Sequence, residues 1–182
     1  MFIQTEITPN PTTLKFLPGC EVMASGTANF TGPDAAARSP IATRLFKIDG
    51  VAGVFLGSDF ITVTKSGAQD WEVMKPMVLS AIMDHFTSGD AVIDADADAT
   101  DTDGADDDVS AQIKELIDTR VRPAVAQDGG DILFRGFENG VVFLHMQGSC
   151  SGCPSSTATL KHGIENMLKY YVPEVIEVRP VD

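Results

Sequence analysis

Hydrophobic positions along this 182-residue chain come in short clusters bounded by turn-forming residues, and the clusters predict strands and helices in mixed order. Phe2 to Ile7 and Thr12 to Leu17 read as two strands around the turn Thr8-Pro9-Asn10-Pro11. Ser39 followed by Pro40 is a helix start, with serine as N-cap and proline at the first helical position. Val51 to Leu56 and Phe60 to Thr64 are β-rich runs parted by Gly57-Ser58-Asp59, which predicts a hairpin. Asp70 to Phe86 then sets Trp71, Met74, Val78, Ala81, Ile82 and His85 at helical spacing.

In the second half, Ser110 is expected to cap a helix that runs to about Arg120 with Ile113, Leu116 and Ile117 on one face. The stretch from Val121 to Gly130, with Pro123 in it, leads into a hairpin of Asp131 to Phe137 and Val141 to Met146, turned by Asn139-Gly140. A loop with Cys150 and Cys153 follows, then a helix from Pro154 to Tyr171 that buries Leu160, Ile164, Met167, Leu168 and Tyr171. Glu174 to Arg179 is the closing strand. Both halves are therefore expected to be small α+β domains, the second in the order α-β-β-α-β.

Charge separates the halves. Nine Asp and no basic residue fall between Ser88 and Asp108, so most of the formal net charge of -13 sits in one segment, and the remainder of the chain is at -4. A run of Asp alternating with Ala and Thr repels itself and cannot bury a core, so the expected organisation is 1–87, an acidic flexible linker over 88–108, and 109–182. A calcium loop is the rival reading of the Asp-x-Asp pattern. It fails on position, because from Asp94 the sixth residue is Ala99 and the twelfth Ala105, where Gly and Glu are required. An acidic chain without clustered Lys and Arg argues against nucleic acid as a partner. No apolar run approaches the roughly 18 residues of a membrane span. Met1 to Glu6 lacks the marks of an export or organelle signal, so a cytoplasmic protein is expected.

Three cysteines, two of them three apart, do not make a disulfide framework, and in a reducing compartment such a pair is more often a ligand pair or a redox pair. Cys150 and Cys153 are the candidate metal- and cofactor-binding residues, with Ser151-Gly152 allowing a tight turn between them. Pro154 places a helix N-terminus beside the sulfurs, which predicts a depressed thiol pKa. Tetrahedral zinc and common iron-sulfur clusters ask for about four protein ligands, and the pair supplies two. Completion by the same pair of a second copy across a two-fold axis is the simplest solution, so the site predicts a homodimer. Cys20 reads as an incidental thiol, His162 as a solvated helix residue, and His145 as a group pointing off one sheet face.

Gln127-Asp-Gly-Gly-Asp131 before a hairpin, then Gly148-Ser-Cys-Ser-Gly-Cys-Pro-Ser-Ser-Thr157 and a helix ending before Val172-Pro-Glu-Val175, resembles the C-terminal domain of the NifU family, the Nfu domain. The first half resembles the Nfu N-terminal domain through Thr8-Pro-Asn-Pro11, Thr13-Leu-Lys-Phe-Leu-Pro-Gly19 and the stretch around Ser39-Pro40. The resemblance implies an iron-sulfur carrier and not an enzyme. It implies a 4Fe-4S cluster that bridges two protomers through Cys150 and Cys153, arrives from an assembly scaffold and leaves for apo-proteins. Two rivals use the same pair, a thiol-disulfide oxidoreductase and a zinc-bridged structural dimer.

Overall fold

The turn at Thr8 to Pro11 is built around an asparagine side chain: the Asn10 Oδ1 accepts from the Thr12 amide at 3.1 Å and from the Thr12 hydroxyl at 2.7 Å. It joins β1 (Gln4–Ile7) to β2 (Thr13–Leu17), which pair antiparallel. The computed structural model describes residues 1–67, 69–94, 108–151 and 154–181, and the chain divides into two units, Met1–Ala99 and Thr100–Asp182, each with helices and strands. The fold is α+β.

In the first unit β3 (Ala28–Phe30), β4 (Val51–Leu56) and β5 (Ile61–Lys65) complete an antiparallel sheet in the order β1-β2-β5-β4-β3. Strand alternation sends Leu14, Phe16, Val54, Leu56, Ile61 and Val63 into one core with Ile41 and Leu45 of α2 (Pro40–Phe46) and Val78 and Ile82 of α3 (Trp71–Ser88). Ser39 caps α2 as expected, and its hydroxyl also donates to the Val92 carbonyl at 2.6 Å. That bond corrects the start of the linker. Ser88 ends α3, Gly89 closes it in the left-handed conformation, Asp90 pairs with Arg44 at 2.6 Å, and Val92 and Ile93 pack on the core. Residues 89–94 thus belong to the first unit, and the acidic stretch 95–107 lies outside the described residues. The sequence reading also passed over β3 and the single-turn helix α1 (Pro33–Ala36).

The second unit opens with α4 (Asp108–Leu116), passes through a π-helical turn at Ile117–Val121 and continues as α5 (Arg122–Gln127). Two expectations are corrected here. Ser110 lies within the helix and is buried, so it is not the cap. The helix does not stop near Arg120 but runs on past Pro123 to Gln127, because the wider turn before the proline absorbs the amide hydrogen bond that proline cannot make. The same turn keeps Ile113, Ile117, Val121 and Val125 on one buried face, although steps of four overrun an α-helical turn of about 3.6 residues.

β6 (Gly130–Glu138) and β7 (Val141–Gly148) form the expected hairpin, with Asn139 at φ 51 and Gly140 at φ 81. α6 (Pro154–Tyr171) then crosses back to β8 (Glu177–Val181), which pairs parallel to β7. β8 starts three residues later than expected, because Val175 closes a turn on Val172 and Ile176 donates to the Gly140 carbonyl at 2.7 Å. Tyr171, expected in the core, is 40% exposed, with the Arg120 guanidinium 5.0 Å above its ring. Among the described residues no helix is long and apolar enough to cross a membrane.

Candidate functional site

Cys150 sits two residues past the end of β7, where the chain turns toward α6. Three bonds set its backbone. The Ser149 amide donates to the Gly129 carbonyl at 3.2 Å, the Ser149 hydroxyl donates to the Asp128 carbonyl, and the Thr157 hydroxyl donates back from α6 to the Cys150 carbonyl at 3.3 Å. The turn Asp128-Gly129-Gly130 and the first turns of α6 therefore hold the cysteine between them. Gly129 at φ 80 and Gly148 at φ 63 occupy left-handed backbone that other residues enter only at a cost, so the glycines are what let the two loops close on each other.

The side chain points inward. Cys150 is 7% exposed and belongs to the apolar core of its unit. Burial pushes its thiol up from 9.0 to about 12. The Ser149 hydrogen bond opposes that shift, and the Asp128 and Asp131 carboxylates add to it. The expected depression of the thiol by the α6 N-terminus is thus reversed, because the loss of water around a thiolate outweighs a helix end. A protonated, buried thiol is a poor attacking group for disulfide exchange, and a metal binding to such a group would have to displace its proton.

The second candidate ligand, Cys153, lies outside the described residues. Cys20 is half-buried in the first unit, in the loop after β2. His145 is held by its neighbouring strand, with Nδ1 3.1 Å from the Val181 carbonyl, and His162 is exposed on α6. His85 forms part of the buried face of α3.

Sequence reasoning missed an ion pair beside the cysteine. Asp131, 5% exposed at its side chain, accepts two bonds from Arg122, and its Oδ1 also accepts from the Ile132 amide at 2.8 Å. The Gln-Asp-Gly-Gly-Asp run carried the signal, since two glycines between two acids imply a forced turn, but nothing in the sequence pairs Asp131 with a residue nine positions earlier.

Residues 3–89 match the family described as Scaffold protein Nfu/NifU N terminal, and residues 113–179 match the NifU-like domain. The chain is 52% identical over 183 residues to the human protein named NFU1 iron-sulfur cluster scaffold homolog, mitochondrial, covering all of this chain and 72% of that one. A Drosophila persimilis protein of the same name is 53% identical over 184 residues, and this chain spans 65% of its length. A solution structure of a NifU-like protein from Saccharomyces cerevisiae is 25% identical and covers 53% of this chain and 87% of its own, with a TM-score of 0.48. Both relatives are named mitochondrial, which overturns the cytoplasmic expectation. That expectation rested on six residues, and a cellular address is not a property of the folded units.

Proposed function

The chain belongs to the Nfu family of iron-sulfur cluster scaffold proteins, and from that premise we propose that it is a carrier whose cargo is a 4Fe-4S cluster. Cys150 and Cys153 hold the cluster together with the same pair of a second copy. The cluster is received from a donor scaffold and passed to apo iron-sulfur proteins, and we place this exchange in the mitochondrion, as the relatives' names suggest. The observation that carries the reading is the seat of Cys150, held between the Asp128 turn and α6 inside the stretch that matches the NifU-like domain.

The chemistry follows from ligand count. Two ligands from each chain let the pair of protomers enclose the cargo, and parting them halves the ligand set in one step. Transfer is then exchange of one thiolate for another at iron, with an acceptor's cysteines replacing Cys150 and Cys153. The protein's task is to hold and hand over, so it needs no acid-base residue at the site.

Anaerobic reconstitution followed by iron, sulfide and mass measurement on one sample tests the proposal. The expected result is about four irons and four sulfides per pair of chains. Cys150→Ser or Cys153→Ser should abolish the cluster and leave the chain folded, while Cys20→Ser should keep it. Zinc without acid-labile sulfide, or a full cluster in the double variant, would refute the assignment.

A further inference from the structure

A cysteine that shares cargo with a second chain has to offer its sulfur outward, yet the Cys150 side chain lies in the core with Ile132, Met146 and Ile164. Its seat is a glycine. A Cβ placed on Gly130 would stand 2.7 Å from the Cys150 Sγ, 2.8 Å from the Gln147 carbonyl oxygen and 3.2 Å from the Cys150 amide nitrogen. The first two distances are closer than real Cβ atoms come to other heavy atoms, so the sulfur occupies space that exists only because position 130 has no side chain.

We propose that Gly130 is a positioning residue for Cys150: its bare backbone is a socket that stores the sulfur inside the cluster-free chain, and loading begins when the thiol leaves that socket. The second half of this statement rests on the proposed role of Cys150 as a ligand; the socket does not. The backbone of Cys150 is tied to α6 through Thr157, and the adjacent Ser149 is tied to the Asp128 turn. With both ties in place, the sulfur can leave by rotation of its own side chain while the loop stays where it is. A carrier gains from such storage, because an empty protomer then keeps one ligand away from oxidants and stray metal ions.

The test labels the cluster-free, full-length chain with N-ethylmaleimide and reads each cysteine by tandem mass spectrometry, taking the rate in guanidinium as the unfolded reference for each. Cys150 should be protected at least about tenfold more than Cys20 relative to that reference. Gly130→Ala should raise the Cys150 rate toward its reference and leave the Cys20 rate unchanged. Equal protection of Cys150 and Cys20 in the wild-type chain, or an unchanged Cys150 rate in a folded Gly130→Ala chain, would overturn the socket.

A double-mutant cycle covers the case in which Gly130→Ala is too unstable to label. If one Cβ fills the space of the sulfur, Gly130→Ala should cost less stability in a Cys150→Ala background than in the wild type, and equal costs would overturn the proposal. A protected Cys150 in a chain that takes up no cluster on reconstitution would leave the socket standing and remove the carrier reading.

Discussion

Arg122 grips Asp131 with two parallel bonds, Nε to Oδ1 and Nη2 to Oδ2, each 2.8 Å long. The pair fastens the first turn of α5 to the start of β6, one residue from Gly130, and a third contact runs from Arg122 Nη1 to Asp118 at 3.3 Å. Those bonds, the Asp131 ones first, raise the Arg122 pKa against the cost of its burial. The carboxylate is nearly dry and the guanidinium about one-third exposed, so the two partners differ in what their loss would leave behind.

Removing the arginine strands a buried charge. Arg122→Ala should destabilise the second unit by about 2–4 kcal/mol, and Arg122→Lys should recover only part, because an ammonium cannot make the fork. Denaturant unfolding separates the units by chromophore. The single Trp, at position 71, reports the first, and both Tyr, at 170 and 171, report the second. Only the tyrosine transition should move; a shift of the Trp71 transition of equal size would contradict the assignment.

Gly140 should be as sensitive for a different reason. Its φ of 81 disfavours any side chain, and a Cβ there would meet the Ile176 side chain at 2.6 Å and the Glu174 carbonyl at 3.1 Å. Gly140→Ala is expected to cost about 1–3 kcal/mol in the same tyrosine-monitored transition, from strain and crowding together. A neutral result would mean that the β6–β7 turn and the approach to β8 can shift freely.

Acid should loosen the first unit through His85. Burial lowers its pKa from 6.5, the Arg44 charge lowers it further, and Asp90 works in the opposite direction. Neither ring nitrogen has a hydrogen-bond partner among the described residues. The unfolded chain therefore binds the proton more readily, so stability is full above the unfolded pKa and is lost as pH falls below about 6.5, with a slope of at most about 1.4 kcal/mol per pH unit. Trp71-monitored unfolding between pH 7.5 and 5 reads this slope. His85→Leu should flatten it, and an unchanged slope in that variant would assign the effect to other groups.

Local periodicity was enough to place most of the architecture. The Asn139-Gly140 turn, the Ser39-Pro40 helix start and the spacing of Met74, Val78, Ile82 and His85 depend on residues near one another in the chain, and all stand as read. Two of the corrections share a cause. Tyr171 is expected in the core and Ser88 at the start of the linker, and in both cases a partner distant in sequence decides otherwise, the Arg120 stack and the bond from Ser39 to Val92. The expected helix end near Arg120 is moved by a local feature instead, the π-helical turn at Ile117–Val121.

The cysteine pair divides in the same way. From the sequence alone come Cys150 and Cys153 as the candidate ligand pair, the small residues around them, the helix that follows, and the expectation of ligands beyond those one pair can supply. Only the tertiary structure decided that the Cys150 sulfur faces inward. Burial in the core raises its pKa, Ser149 opposes the rise, and Asp128 and Asp131, the latter under the hold of Arg122, add to it, while the bare backbone of Gly130 leaves room for the sulfur. Spacing nominates the thiols that could act together as a ligand pair. The dielectric and steric environment that governs when they do so is assembled by residues separated along the chain, and it exists only once the chain has folded.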